Sequence, residues 1–174
     1  EPIAPNIIQR LPVDQIEVYN LYGPSEDTTY STYFKIKQKE YPSIPIGKPI
    51  TNSQVYILDN QLQVVSRGVF GKIFVAGDGV ARGYLNKPEL TAEKFVANPF
   101  KSGKIMYDTG DLGRWLPDGN IEFLGRNDQQ VKIRGFRIEL GEIEARLLQF
   151  SEQIKQVVVE PKEVKGEKLL VAYF

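Results

Sequence analysis

The sequence predicts a mixed α+β chain, in which a β-rich antiparallel part is followed by a smaller α+β unit. Up to residue 126, short apolar or alternating runs are separated by Gly, Pro, Asn and Asp, and from Gly141 the apolar residues recur with helical spacing. Successive strands joined by short turns favour a small twisted barrel or sandwich for the first part. With 174 residues, of which 41% are hydrophobic, the chain is long and apolar enough for a real core.

Strands account for most of the first part. Asp59-Asn60 and Asp118-Gly119 each lie between two apolar runs, which is the pattern of a hairpin turn. A short helix is predicted for residues 88–95, because a proline opens it and Glu89 lies near the positive end of the helix dipole. The predicted strands are residues 16–22, expected to be buried, and residues 54–58, 62–65, 71–77, 114–116 and 120–124.

A wholly polar tetrad, residues 127–130, separates the two parts and marks the expected domain boundary. Residues 131–134 then alternate strictly, Gly135 interrupts them and residues 136–140 resume, which predicts a hairpin. The helix that follows presents Ile143, Leu147 and Phe150 on one side. Strands at residues 154–160 and 168–174 complete the unit. Because the last strand is apolar and has no polar tail, we expect the parent polypeptide to continue.

The composition excludes several classes of function. The 22 basic and 22 acidic residues cancel, so there is no basic field to attract nucleic acid, and no apolar run approaches the roughly 18 residues that cross a membrane. The absence of cysteine excludes thiol catalysis and disulfides and fits a cytoplasmic location. The absence of histidine removes the Ser-His-Asp triad and most zinc sites. Any chemistry must therefore use carboxylates, hydroxyls, lysines, arginines and backbone amides.

The first candidate site is the segment NLYGPSE, residues 20–26. A strand that ends in Gly-Pro leaves Ser25 and Glu26 at its tip, where a hydroxyl and a carboxylate can meet Mg²⁺ and phosphate oxygens. Tyr22, just before the turn, could present a flat face to a nucleotide base. The alternative is an ordinary capped loop, since Ser followed by Glu also begins helices.

Two further candidates lie in the run from residue 107 to residue 144, where charges are expected beside glycine turns. Asp111 follows Gly110, and a carboxylate at such a turn can accept both hydroxyls of a ribose, although a turn-stabilising aspartate is the commoner case. Arg126 and the Lys132 segment offer donors to ribose or phosphate; the alternative is a strand edge protected by charge.

The order of these segments resembles a known family. NLYGPSE, GKIFVAGDGVARGYLNKPELTAEKF, YDTGDLGRW and GRNDQQVKIRGFRIELGEIE follow one another as in the adenylation domains of nonribosomal peptide synthetases (NRPS), members of the adenylate-forming (AMP-binding) superfamily. The resemblance implies the end of a large α/β core at residues 1–34, a β-barrel-like subdomain at residues 35–127 and a truncated, mobile α+β C-terminal subdomain at residues 128–174. Asp128 would be the hinge.

The resemblance also implies a role for particular residues. Tyr22 would stack on adenine, Asp111 would bind the ribose hydroxyls and Arg126 would reach the ribose and phosphate. Glu26 would hold Mg²⁺ and would be catalytic together with Ser25 and Lys132. The nucleotide site as a whole would comprise Asn20, Tyr22, Gly23, Ser25, Asp111, Phe123 and Arg126, and part of the amino-acid pocket would comprise Leu21, Thr29 and Tyr30.

The activity implied is the conversion of an amino acid and ATP, with Mg²⁺, to aminoacyl-AMP and pyrophosphate. A phosphopantetheine thiol on a peptidyl carrier domain would then take the aminoacyl group, with a condensation domain as a further partner. The family's phosphate loop and its Asn-Gly-Lys motif do not occur in these residues, so we expect the 174-residue fragment alone to be inactive. Two alternatives are an acyl- or aryl-CoA ligase of the same superfamily and a noncatalytic interaction module.

Overall fold

The computed structural model describes residue 3 and residues 5–127, 130–133, 136–164 and 167–174. The chain divides into two compact units, Pro2–Asn127 and Asp128–Phe174. Both mix sheet and helix, so the predicted mixed α+β class is confirmed. Asp128, the predicted hinge, lies outside the described residues, and the three-part subdivision stays a prediction.

The centre of the first unit, within the described residues, is a five-stranded antiparallel sheet in the order β4-β5-β7-β6, with β8 also paired to β7. The longest strand, β7, pairs with β5 along one edge and with β6 and then β8 along the other. The helix α2 (Pro88–Lys94) precedes β6 directly. The strands are β4 (Ser53–Leu58), β5 (Gly71–Gly77), β6 (Phe95–Ala97), β7 (Ile105–Trp115) and β8 (Ile121–Arg126).

Both faces of β5 are buried, which explains its nearly continuous apolar sequence. Ile73 and Val75 enter one core cluster, while Phe74 and Ala76 enter a second cluster with Leu58, on the opposite face of the sheet. The first cluster consists of Ile46, Val55, Ile57, Ile73, Val75, Phe95, Tyr107 and Ile121.

A smaller antiparallel sheet precedes this one in the chain, in the order β1-β2-β3. The segment at residues 45–47 joins the two sheets, since the backbones of Ile46 and Gly47 exchange hydrogen bonds with Ile121 of β8, and Thr32 of β2 donates to the Ile46 carbonyl. A short helix, α1, opens the chain. These elements are α1 (Pro5–Arg10), β1 (Val18–Tyr22), β2 (Thr32–Ile36) and β3 (Lys48–Pro49).

The second unit contains two hairpins and one helix within its described residues. Strands β9 and β10 pair with Lys132 opposite Arg137, and α3 leads to the pair β11–β12. The elements are β9 (Gln130–Ile133), β10 (Phe136–Glu139), α3 (Leu140–Phe150), β11 (Val158–Val164) and β12 (Glu167–Tyr173). The predicted order of hairpin, helix and two strands is confirmed, although β11 begins at Val158 rather than at residue 154.

The chain reverses at Asp59-Asn60 as predicted, since the backbones on either side of the turn are hydrogen-bonded, but residues 62–65 do not form a regular strand. Asp59 Oδ1 accepts hydrogen bonds from the Gln61 and Gln63 nitrogens, and Leu62 has a left-handed φ of 58°. A single bridge between Leu58 and Val64 replaces the second strand. The predicted first strand is present as β1, which begins at Val18, but the expectation that it is buried was wrong, because only Asn20 is buried.

The turn predicted at YDTGD is a β-bulge inside β7. Three residues, Thr109, Gly110 and Asp111, lie opposite the single residue Ile73 of β5. Gly110 has a φ of 72°, Thr109 donates its hydroxyl to the Ile73 carbonyl, and the Asp111 nitrogen donates to the Thr109 hydroxyl. A bulge changes the direction of a side chain within a strand, and here the side chain is that of Asp111.

The contact between Gly47 and β2 is tight enough to test. Gly47 has a φ of 88°, and a Cβ on it would lie 1.8 Å from the Tyr33 carbonyl oxygen. Gly68 is a matched control, with a φ of 82° and nothing within 4 Å of its Cβ position. We expect Gly68→Ala to lower the free energy of unfolding by about 1 kcal/mol and Gly47→Ala by at least about 3 kcal/mol, measured by urea denaturation. Equal losses would contradict the predicted clash.

Candidate functional site

The carboxylate of Asp111 brings together three separate segments. Tyr22, the last residue of β1, donates its hydroxyl to Asp111 Oδ2 at 2.5 Å. Arg126, the last residue of β8, donates from Nη1 to Asp111 Oδ1 at 2.9 Å. Asp111 and Arg126 are direct partners in the β7–β8 ladder, so the ion pair follows from the strand register. Three of the predicted nucleotide-binding residues therefore meet at one carboxylate.

Burial strengthens these contacts. Asp111 is 7% exposed, and its ion pair with Arg126 lies between two largely buried side chains. Burial, followed by the negative charge of Asp111, raises the pKa of Tyr22 well above its usual range. Tyr22 is thus a neutral hydrogen-bond donor at physiological pH.

Two aromatic rings lie beside the ion pair. The rings of Tyr22 and Phe123 are 6.1 Å apart and tilted by 43°, and both pack against the first core cluster. Tyr22 therefore combines two roles, since its ring joins the aromatic pair and its hydroxyl fixes the carboxylate. The site offers an anionic acceptor, a cationic donor and aromatic surface within a short distance of each other.

A second polar group is built on the 3₁₀ turn Ser25–Asp27, in the connection between β1 and β2. Glu26 is 8% exposed, and its Oε1 accepts a hydrogen bond from the Tyr84 hydroxyl at 2.7 Å. The Tyr107 hydroxyl lies 3.2 Å from the Tyr84 hydroxyl. Burial, and then its hydrogen bonds with Tyr107 and Glu26, raises the pKa of Tyr84 far above its usual value. Ser25 is exposed on the same turn.

The connection folds back closely on itself at Gly23. A Cβ on this residue would lie 2.6 Å from the Ser31 nitrogen and from the Thr29 carbonyl oxygen, so a larger residue does not fit. Thr28 and Thr29 both adopt left-handed φ values, 50° and 82°. Such angles are costly for β-branched residues, and strain of this kind is concentrated at functional sites.

Asp27 is a buried carboxylate that was not among the residues predicted from the sequence. It is 1% exposed, and Oδ2 accepts a hydrogen bond from the Ser31 hydroxyl at 2.6 Å. Oδ1 has no hydrogen-bond partner among the residues that the structure describes. Burial raises its pKa, against the opposing effect of the Ser31 hydrogen bond. The only sequence feature that could have indicated Asp27 was its position directly after Glu26.

The remaining predicted residues are Asn20, Leu21, Thr29, Tyr30 and Lys132. Asn20 is buried, and its side-chain amide donates a hydrogen bond to the Pro45 carbonyl at 2.8 Å. Leu21 and Tyr30 are 44% and 48% exposed, and Thr29 is also exposed, so these residues do not enclose a pocket by themselves. Lys132 belongs to β9, but its side chain lies outside the described part of the structure.

The acidic residues set a limit on metal binding. No group of three or more His, Cys, Asp or Glu side chains suited to a metal occurs among the described residues. Mg²⁺ is commonly held by one or two carboxylates together with water and substrate phosphates. The single Glu26 carboxylate therefore fits a cation that arrives bound to a nucleotide, rather than a metal ion held by protein ligands alone.

None of the helices among the described residues has the length and apolar character to span a bilayer.

Comparison with known sequences gives consistent matches. The model of the family described as AMP-binding enzyme matches residues 1–85. The chain is 57% identical, over its whole length, to tyrocidine synthase 3 of Brevibacillus parabrevis. It is 53% identical, over 97% of its length, to gramicidin S synthase 2 of Brevibacillus brevis. The chain spans only 3% and 4% of the length of these two proteins.

Solved structures agree with the sequence matches. The chain superimposes with a TM-score of 0.88 and 30% identity on holo-PA1221, an NRPS protein containing adenylation and PCP domains bound to a vinylsulfonamide inhibitor. A fused adenylation-PCP di-domain NRPS from Klebsiella oxytoca gives a TM-score of 0.81 at 30% identity. In both cases 99% of this chain is covered, against 31% and 33% of the other chain. The chain therefore belongs to the AMP-binding enzyme family, as part of an adenylation domain of the nonribosomal peptide synthetase type.

Proposed function

We propose that the polypeptide carrying this chain activates an amino acid with ATP, forming aminoacyl-AMP and pyrophosphate, and that Asp111 organises its nucleotide site. The observation that carries the proposal is the convergence of Tyr22 and Arg126 on the two oxygens of Asp111. The high identity to peptide synthetases over nearly the whole chain supports it.

The chemistry of the Asp111 group suits the adenosine half of the nucleotide. An ionised carboxylate only accepts hydrogen bonds and has about four acceptor positions, so its oxygens can accept from ribose hydroxyls as well as from protein donors. Arg126 adds a forked cationic donor, and the rings of Tyr22 and Phe123 offer flat apolar surface to a base. Acceptor, donor and aromatic surface are the three features that a nucleoside monophosphate requires.

The Glu26 turn suits the phosphates. Glu26 would hold the Mg²⁺ that accompanies ATP, and this cation would neutralise part of the phosphate charge. The exposed Ser25 hydroxyl would contact a phosphate oxygen. The nucleophile of this reaction is the amino-acid carboxylate, which is already an anion, so the protein needs no general base. The protein's work is to align the reactants and offset their repulsion, which the histidine-free chain could do with Arg126 and with the Mg²⁺ that Glu26 would hold.

The second half-reaction would transfer the aminoacyl group to a phosphopantetheine thiol on a peptidyl carrier domain. The solved relatives that contain PCP domains support this acceptor over free CoA. We place the hinge at Asp128 and Lys132 on the face that serves thioester formation. Leu21, Thr29 and Tyr30 would form part of the amino-acid pocket, and a condensation domain would use the loaded carrier.

Replacement of Asp111 should remove the recognition of ribose. In the polypeptide carrying this chain, we expect Asp111→Asn to weaken AMP binding at least about 10-fold, because hydrogen bonds to a charged group are lost. The preference for AMP over 2′,3′-dideoxy-AMP should disappear as well, as measured by isothermal titration calorimetry. Asp118→Asn, on the exposed β7–β8 turn, makes the same chemical change and should leave both quantities unchanged. Retention of the wild-type preference by Asp111→Asn would contradict the ribose contact.

The 174-residue chain alone should not catalyse amino-acid-dependent exchange of pyrophosphate into ATP. The family's phosphate loop and Asn-Gly-Lys lysine are missing from it, so the triphosphate would lack most of its cationic and backbone contacts. Radiolabelled pyrophosphate exchange with a panel of amino acids measures this, with the longer polypeptide as the positive control. Robust exchange by the purified chain would show that these residues suffice.

A further inference from the structure

The segment at residues 78–84, between β5 and α2, belongs to the longest of the recognised motifs but has no part in the function proposed above. It contacts the Glu26 turn through three hydrogen bonds: the Ala81 nitrogen donates to the Glu26 carbonyl, Thr28 donates its hydroxyl to the Gly79 carbonyl, and the Tyr84 hydroxyl donates to Glu26 Oε1. A Cβ on Gly79 would lie 2.7 Å from Asp27 Oδ1, so the two segments are in close contact.

Tyr84 is held rigidly at the end of this segment. Its backbone nitrogen donates to the Thr91 hydroxyl of α2 at 2.9 Å, and its ring packs edge-on against Phe95 at 5.3 Å. Gly83 has a φ of 138°, and a Cβ there would lie 2.4 Å from the Thr91 methyl carbon, which explains the glycine before the tyrosine. The backbone of Tyr84 is thus bonded to α2 and its ring packs on β6. Together these two contacts determine where the Tyr84 hydroxyl points.

The direction of the hydrogen bonds is also determined. An ionised carboxylate can only accept, so the Tyr84 hydroxyl uses its single proton on Glu26. The Tyr107 hydroxyl, 3.2 Å away, must then be the donor to the Tyr84 oxygen. The chain of donors runs from Tyr107 through Tyr84 to Glu26, and it orients one oxygen of the carboxylate.

We propose that Tyr84 is a positioning residue, which holds the Glu26 carboxylate in the orientation that binds the divalent cation of a nucleoside triphosphate. This inference rests on the proposed function of Glu26. Partners of this kind fix the rotamer of a metal-binding side chain without touching the metal. The backbone bond from Ala81 to Glu26 holds the turn independently of the tyrosine hydroxyl, so loss of that hydroxyl affects the carboxylate more than the fold.

The test uses Tyr84→Phe, which removes one oxygen and keeps the ring on Phe95. Mn²⁺ binding in the presence of α,β-methylene-ATP is titrated by electron paramagnetic resonance, in the polypeptide carrying this chain. We expect the Kd for Mn²⁺ to rise roughly 10-fold or more, as for other partners of metal ligands. AMP binding without metal should stay at its wild-type value, and the thermal unfolding temperature should fall by only a few degrees, because one hydrogen bond is lost.

Two further variants separate the possible causes. Glu26→Gln removes the ligand itself and should raise the Mn²⁺ Kd at least as much as Tyr84→Phe. Tyr56→Phe is the matched control, because the Tyr56 ring stacks on Phe100 elsewhere in the sheet, and it should change nothing.

A normal Mn²⁺ Kd for Tyr84→Phe, beside a raised one for Glu26→Gln, would overturn the positioning role and leave the proposed function intact. A normal Kd for Glu26→Gln would overturn both. Equal weakening of metal-free AMP binding and Mn²⁺ binding by Tyr84→Phe would show a general structural role and overturn the inference.

Discussion

The buried ion pair between Asp111 and Arg126 is the interaction on which the site depends. Strand register alone places the two residues opposite each other, and the bulge at Gly110 in β7 turns Asp111 so that Tyr22 of the smaller sheet can reach its second oxygen. Burying a carboxylate is costly unless it is paired and hydrogen-bonded, and here both oxygens have partners. The hydrogen bonds from Tyr22 and Arg126 offset the cost of burying the Asp111 carboxylate, and they also fix the orientation of its two oxygens.

Glu26 and Asp111 are supported by different parts of the first unit, but in the same way. Each carboxylate accepts a hydrogen bond from a partly buried tyrosine, Tyr84 or Tyr22, whose ring packs against the first core cluster. A rigid aromatic donor loses little conformational freedom on ordering, which makes it suitable for orienting an anion. The large sheet thus supplies Asp111, Phe123 and Arg126 from its own strands, whereas the connection between β1 and β2 carries Ser25 and Glu26.

The sequence predicted the elements whose signals are local. Continuous apolar residues identified β5, Asp118-Gly119 identified the β7–β8 hairpin, and helical spacing identified α3. It could not predict that YDTGD lies within a strand, because a bulge depends on the partner strand as well as on its own residues. It also missed β2, which is short and half polar, and the bond between Tyr84 and Glu26, which joins residues 58 positions apart. The sequence of neither segment alone indicates a long-range contact of this kind.

The most direct test of the central claim, that Asp111 organises a nucleotide site, is a crystal structure of the polypeptide carrying this chain with AMP bound. We predict a ribose hydroxyl oxygen at about 2.6–3.2 Å from an Asp111 carboxylate oxygen, with the base against the Tyr22 and Phe123 rings. AMP bound elsewhere, with the Asp111 carboxylate contacting only Tyr22, Arg126 and other protein groups, would contradict it.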